Sequence, residues 1–473
     1  MTATPFPSKI RNMFHTSRLW RFFLLLLVLL LAGLVGCGSP PPPPQNVILV
    51  SLDTTRKDHL TTYGYHRDTA PKLDALAQES FVFMNAVAQW TTTNPTHSSM
   101  FSSLYPHTHG VGSNTRQLDQ EHITLAEILK DAGFSTGGFV SGYPLRLAAD
   151  GLGQGFDVWD ANFKKMRRNG RLTVDNALAW LKQRTPDERY FLFLHLYDAH
   201  GPYRPQEGYE GLFKSENQGR QLVNVPGYQL RRVDEGKPQF LNDYIDRYDG
   251  LIRYQDDLVA DLLASADLEK TIVLVTADHG ETLGERTRVL DHGKNLFEEQ
   301  TAIPMILHVP GMVGGRVRQI AEQVDFLPTL VDLLGLTLPE GMTIQGENLA
   351  PVMRQVEDEE MDDLAFSSVR ARAKSHADRG YFLNKEERIH AVRSMGWKFI
   401  LYPGIDEEYL ELYDLRQDPG ELDNLAADNP ALIERLRQAL DAWEDGRAAD
   451  EAPEMELSAE DAEKLRSLGY LGN

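Results

Sequence analysis

Three runs of apolar residues share one pattern: "NVILVSL" (46–52), "YFLFLHL" (190–196) and "TIVLVTA" (271–277). None alternates strictly between apolar and polar positions, which suits strands buried on both faces, as in a parallel sheet covered by helices. Each run leads to residues able to bind metal or move protons: Asp53 after the first, Asp198 and His200 after the second, Asp278 and His279 after the third. In open α/β sheets a site lies at the carboxyl ends of the strands, so these ends are expected to converge on one crevice. Between them, "TLAEILKDAG" (124–133) sets Leu125, Ile128 and Leu129 on one face of a helix that stops at Gly133, and "FSTGGFVSG" reads as a further strand. The segment 241–266 carries Ile245, Tyr248, Ile252, Leu258, Leu262 and Leu263 at helical spacing, which predicts a long helix across the sheet. Residues 205–240 lack periodicity and read as an irregular insertion near the crevice.

After about residue 350 the pattern changes. "LAFSSVRAR", "IHAVRSMGWKFILYP" and "EYLELYDLRQDP" read as successive strands of a small antiparallel sheet, followed by a helix over 430–445. The expected organisation is a catalytic domain over 46–350, an antiparallel subdomain with a helix over 351–447, and an acidic tail with a short helix over 448–473. The fold class is α/β, with a large, mostly parallel sheet and helices on both faces.

The N-terminus stands apart from this pattern. Lys9, Arg11, Arg18 and Arg21 precede "FFLLLLVLLLAGLVG" (22–36), the basic region and short apolar core of a secretory signal. The run ends at "LVGCGS", which resembles a bacterial lipobox in which Cys37 becomes the lipidated first residue of the mature chain; the alternative is an uncleaved anchor helix. Cys37 is the only cysteine, so no intrachain disulfide forms. The expected location is the cell envelope, facing the periplasm or exterior, with "SPPPPPQ" (39–45) as a stiff tether. A formal charge of -21 excludes nucleic acid as a partner, because phosphate-backbone binding needs clustered Lys and Arg. Much of the acid excess lies in "VEDEEMDD" (356–363) and in 444–463, read as solvated loop and tail.

The candidate chemistry centres on "WTTTNPTHSSMFSSLYPHTHGV" (90–111). Asp53, Thr93, Asp278 and His279 form a mixed oxygen and nitrogen set that suits one divalent ion, Zn or Mn more than Ca or Mg. Coordination of Thr93 would lower the pKa of its hydroxyl and supply a nucleophile. Asn94 is expected to cap a helix begun by Pro95, placing Thr93 just outside a helix N-terminus that favours anions. His97 and Arg56 are candidates to add positive charge there.

These segments resemble the sulfatase family of the alkaline phosphatase superfamily along nearly all of residues 46–425. "NVILVSLDTTRKDHLTTYGYHRDTAPKLDALAQES" is similar to the family's opening strand and metal aspartate. "TNPTHSSMFSSLYPHTHGV" is similar to its signature, "LYDAHGPYRP", "VTADHGETLGE", "DHGKNLFEEQTAIPMILHVPG" and "WKFILYPGIDEEYLELYDLRQDPGELDNLA" follow in the family's order, and the closing "LRSLGYLGN" is of a familiar type. The resemblance implies metal-assisted attack on a sulfate or phosphate ester. By position, Asp53, Asp278 and His279 would hold the metal and Thr93 would be the nucleophile. His97 replaces the signature arginine. His200 would be the general acid, His292 and Lys294 would face the transferred group, and Asp198 and His109 would order the shell.

The sequence also departs from the pattern. The family converts a cysteine or serine at the nucleophile position to formylglycine, and Thr93 is neither. Thr54 follows Asp53 where a second aspartate is usual, and Asp278-His279 replaces an Asp-Asn pair. "GFVSGYPLRL" (138–147) stands in place of a lysine and histidine block, with Ser141 and Tyr143 as polar substitutes. Threonine nucleophiles and Asp-His pairs point toward the superfamily's phosphodiesterases, phosphotransferases and phosphonate monoester hydrolases. The expected substrate is therefore an anionic ester on a glycan, lipid or small molecule, phosphate-type before sulfate. The competing reading is a degenerate member that binds glycans or lipid head groups without turnover.

Overall fold

The computed structural model describes residues 43–223, 225–226, 229–230, 236–286, 289–354, 363–371, 380–384, 387–445 and 451–471. The signal segment and Cys37 lie outside them, as does nearly all of "VEDEEMDD". Among the described residues no helix is long and apolar enough to cross a membrane.

The strand β1 (Asn46–Leu52) explains the lack of alternation in its sequence. Its side chains point by turns into two separate cores. Val47 and Leu49 pack with Phe83, Phe193 and Leu274, whereas Ile48 and Val50 pack with Leu192, Leu194, Val273 and Val275. With both faces covered, every position of the strand is buried and none needs to be polar.

The other strands of this sheet are β2 (Phe81–Val87), β3 (Ser135–Val140), β4 (Val158–Asp160), β5 (Tyr190–Leu196), β6 (Thr271–Thr276), β7 (Met305–His308) and β8 (Gly315–Glu322). Their order is β8-β2-β7-β6-β1-β5-β3-β4, and the short strand Ala302–Ile303 pairs with β2. β1 runs parallel to both β5 and β6; β7 is antiparallel to β6 and β2. Helices α1 (Thr93–Ser102), α2 (Leu125–Asp131) and α5 (Phe326–Leu333) cover one face. Helices α3 (Gly170–Leu181) and α4 (Leu241–Leu263) cover the other. α2 starts at a capping box formed by Thr124 and Glu127, and the chain turns out of it through Gly133 at φ 86°.

The C-terminal strands β9 (Ala365–Arg370), β10 (Arg388–Arg393), β11 (Trp397–Tyr402) and β12 (Tyr409–Asp414) form an antiparallel meander. Val392, Phe399, Leu401 and Leu412 bury one face of it against α6 (Pro430–Glu444). Ile389, Ala391, Ile400 and Tyr402 bury the other against Trp90, Leu296 and Phe297 of the large sheet's loops.

The expectation of a solvated tail is corrected. Ala452 and Met455 donate backbone hydrogen bonds to Gly110 and Thr115, and α7 (Ala459–Ser467) sinks Leu465 fully into the protein. Acidic side chains line this segment's outer side, while its apolar residues hold it to the domain.

Candidate active site

Adjacent register brings the three strand ends together. Ser51 of β1 lies opposite His195 of β5 and Thr276 of β6, so Asp53 and Asp278 emerge side by side past the sheet edge. Thr54 adopts φ 55°, a left-handed conformation unusual for a threonine, and this turns its N–H onto Asp278 Oδ1 at 3.0 Å. Where a second aspartate was absent from the sequence, the backbone thus orients the first strand end against the third.

Asp53, Thr93, Asp278 and His279 are all fully buried. Thr93 Oγ1 lies 3.5 Å from Asp53 Oδ2, and His279 Nε2 lies 3.5 Å from Asp278 Oδ2. Asp53 Oδ1, Asp278 Oδ2 and His279 Nε2 have no hydrogen-bond partner among the described residues. Buried polar atoms are ordinarily satisfied, so three orphaned lone pairs in one place are what a bound cation would complete.

The sequence reading missed one member of this group. His195 sits inside the apolar run of β5, and its Nε2 lies 3.1 Å from Asp53 Oδ2. One ligand atom each from Asp53, His195 and Asp278 lies within 4.8 Å of the other two. The signal was present: an imidazole in a strand that is otherwise Tyr, Phe and Leu needs a polar partner.

The electrostatics point the same way. Burial, together with the charge of Asp278, raises Asp53 well above the usual carboxylate range. Asp278, despite its burial, is held below that range by the imidazoles of His279, His97 and His195. Burial lowers His195 to about 3 and His279 to about 4, so both are neutral and have a lone pair to offer. Two carboxylates and neutral imidazoles fit a divalent ion, whose charge would favour ionisation of both carboxylates.

The helix behind Thr93 differs from the expectation in one respect. α1 begins at Thr93 itself, with Thr92 as N-cap, so Asn94 and Pro95 occupy the first turn. Proline is tolerated there because first-turn N–H groups have no intrahelical acceptor. Asn94 N–H is bound by Asn114 Oδ1 at 2.8 Å, Pro95 has none, and Thr96 N–H returns to Thr92 O. The helix end therefore places Thr93 more than it supplies free donors.

Two residues proposed to supply positive charge do not do so. His97 Nδ1 bonds the Thr93 carbonyl at 2.7 Å and its Nε2 the Ser51 hydroxyl at 3.0 Å. Burial lowers its pKa, so it is a neutral strut joining the helix to β1. Arg56 pairs with Asp58 at 2.7 Å and Glu285 at 2.6 Å, and its charge is spent on them. Ser141 and Tyr143 are likewise structural: Ser141 binds the β5 backbone, and Tyr143 donates to Asp461 of α7. His109 joins Ser99 to the Val111 N–H.

On the open side, His200 and His292 face each other, ring centroids 5.0 Å apart. His200 Nδ1 donates to Gly201 O at 2.7 Å, leaving Nε2 toward the site, and burial with neighbouring His292 holds its pKa well below the ordinary value. His292 Nδ1 bonds Glu281 at 2.9 Å, and that carboxylate raises its pKa against the effect of burial. Lys294 is ion-paired to Asp291, and Asp198 accepts from the Gly170 N–H at 3.2 Å with its other oxygen unpartnered.

Residues 45–336 match the sulfatase family model, and 288–445 match the C-terminal model of N-sulphoglucosamine sulphohydrolase. The chain belongs to the sulfatase family. Among relatives of this sulfatase-family chain, arylsulfatase K of Rattus norvegicus is 21% identical over 445 residues, covering 84% of this chain and 77% of the relative. An ulvan-active sulfatase of Formosa agariphila is 25% identical over 353 residues, 66% of each chain. Two solved structures share the fold. One, captured with its substrate D-glucosamine-2-N,6-O-disulfate, has a TM-score of 0.71 at 20% identity and covers 85% of this chain and 97% of its own. The phosphonate monoester hydrolase of Agrobacterium radiobacter has a TM-score of 0.67 at 21% identity, covering 84% and 95%.

Proposed function

We propose that this sulfatase-family hydrolase cleaves anionic esters through the Thr93 hydroxyl, with phosphate-type esters ahead of sulfates. The observation that carries the reading is Thr93 Oγ1 beside Asp53, within a ring of buried, unpartnered ligand atoms. Asp53, Asp278 and His279, joined by His195, would hold one divalent ion, Zn or Mn suiting the donors best. Such an ion supplies Lewis acidity, making an alcohol easier to deprotonate and offsetting charge on the ester. Thr93 Oγ, its proton passing to Asp53 Oδ2 beside it, bonds to phosphorus or sulfur as the bond to the leaving alcohol breaks. His292, held toward its charged form by Glu281, is a better proton source for that alcohol than His200, whose site-facing Nε2 carries a lone pair. Water, or an acceptor alcohol in a transferase, resolves the Thr93 ester. Threonine cannot become formylglycine, and a phosphoryl group does not need the second hydroxyl of that hydrate to leave.

An adjoining cavity of about 1020 Å3 supports an anionic substrate. It shares Tyr197 and Asp198 with the site's rim and is lined by Lys164, Lys165, Arg167 and Arg204. On a chain of net charge -21, this cluster forms a local basin for negative groups, such as those of a sulfated or phosphorylated glycan or lipid head group. The same proposal holds the domain at a bacterial envelope membrane through Cys37; loss of fatty-acid labelling in Cys37→Ala would support this, and unchanged labelling would reject it.

The test uses the full chain in detergent with Zn or Mn. Para-nitrophenyl phosphate diesters and phosphonates should turn over faster than para-nitrophenyl sulfate, and Thr93→Ala should abolish turnover. Activity indifferent to that substitution would overturn the mechanism. The degenerate-binder alternative predicts little metal on elemental analysis, whereas the orphaned ligand atoms predict about one ion per chain.

A further inference from the structure

The strand ends, α1 and the histidine loops do not account for one group at the centre of the site. Tyr470, almost at the end of the chain, places its hydroxyl 2.9 Å from His200 Nε2, 3.2 Å from His292 Nε2 and 3.4 Å from the Tyr197 hydroxyl. These are the imidazoles assigned above to the ester. The phenol reaches them because of how α7 ends. Tyr470 N–H bonds Leu465 O and Gly469 N–H bonds Arg466 O, with Gly469 at φ 82°, the paired bonds of a glycine-terminated helix. Buried Leu465 and Leu468 anchor the turn. "LRSLGY" is thus a helix stop that aims the residue after the glycine into the site.

We propose that Tyr470 is a catalytic residue, donating a hydrogen bond from its hydroxyl to an oxygen of the ester bound between His200 and His292. The assignment rests on the enzymatic reading above and adds to it a group from the opposite end of the chain. His200 Nδ1 donates to a carbonyl, so its Nε2 is an acceptor and the phenol is the donor in that bond. A phenol stays protonated at neutral pH and so remains a donor. An arriving ester oxygen takes the place of His200 as the acceptor of that proton. A plug would fill the space it closes. Here Ser467 and Leu468 line the basic cavity, which stays open with the segment docked, and Tyr470 itself is only half-buried. The segment is a wall of the site.

The experiment compares the full chain with Tyr470→Phe on whichever of the three para-nitrophenyl esters the unaltered chain hydrolyses. Loss of one donor to the transition state should lower kcat roughly 100-fold, with KM, Tm and bound metal little changed. Unchanged or faster turnover in Tyr470→Phe, or faster turnover after deletion of residues 468–473, would overturn the assignment and mark the segment as an obstruction. A second readout does not depend on turnover. Inorganic phosphate should raise the Tm of the unaltered chain more than that of Tyr470→Phe. Equal shifts in a chain that hydrolyses none of the esters would overturn the Tyr470 assignment together with the enzymatic reading; turnover with an unaffected Tyr470→Phe would overturn only the former.

Discussion

Two pairs of buried carboxylates in the same domain look alike in composition and differ in what surrounds them. Glu322 and Asp325 lie beneath the site. Glu322 Oε1 accepts from Gln89 Nε2 and the Phe366 N–H, both at 2.9 Å, and its Oε2 from the Tyr105 hydroxyl at 2.7 Å. Asp325 accepts from the Glu347 and Glu322 N–H groups, each at 2.7 Å. Every oxygen of that pair has a donor, whereas Asp53 and Asp278 each keep an oxygen with none. Acidity, burial and crowding are common to both pairs, so these do not mark a reactive site. What sets the Asp53 and Asp278 pair apart is that its unsatisfied lone pairs gather with that of His279 Nε2. The first pair is a buttress: between its members, Gln323 donates to the Asp278 carbonyl at 2.7 Å and so fixes the end of β6.

The contrast breaks most sharply under substitution. Thr93→Ala and Asp278→Asn should each reduce turnover at least about 1000-fold. Neither should lower the Tm of the metal-free chain by more than a few degrees, because Thr93 gives up one long contact to Asp53 and Asp278→Asn can keep the oxygen that accepts from the Thr54 and His279 N–H groups. Steady-state kinetics beside thermal melts would show this. Glu322→Ala should do the opposite: three donors lose their acceptor, costing about 3 kcal/mol of stability, while turnover per folded molecule stays within about tenfold. Glu322→Gln, which keeps one carbonyl oxygen, should cost about 1 kcal/mol.

Metal removal sharpens the comparison further. Chelation should lower the Tm by several degrees, and added Mn or Zn should restore it, since a ligand that binds only the folded chain stabilises by mass action. Asp278→Asn should lose that response and Glu322→Gln should keep it. The smallest effect is in pH. Burial raises Glu322 to about 8 and Asp325 to about 7 in the folded chain, above their unfolded values. A raised acid stabilises the fold in full below its unfolded pKa and loses that contribution as pH rises through the folded one. The Tm of the metal-free chain should therefore decline from about pH 5 and level above about pH 8, with a shallower decline in Glu322→Gln.

Legibility followed the range of the interactions. Asp53, Asp278 and His279 were readable because each follows a buried strand directly, and parallel neighbours must bring such ends together. His195 was hidden because only strand register shows which polar atom of a neighbouring chain end it meets. Arg56 and His97 were misread for a related reason. Local sequence shows a cation near Thr93, but Glu285 lies 229 residues from Arg56 and decides where the charge points. The tail was misread from composition alone, since its acids face outward and its leucines inward.

What the sequence alone determined is the frame: doubly covered strands and the family. These follow from local pattern, because apolar periodicity and strand ends need no distant partner to be meaningful. The tertiary structure decided the candidate site. It paired Thr54 with Asp278, left three ligand atoms without donors, retired Arg56, and carried Tyr470 to the two imidazoles. Each of those outcomes depends on which groups meet across hundreds of residues, and the cost of burying a polar atom is set by that meeting.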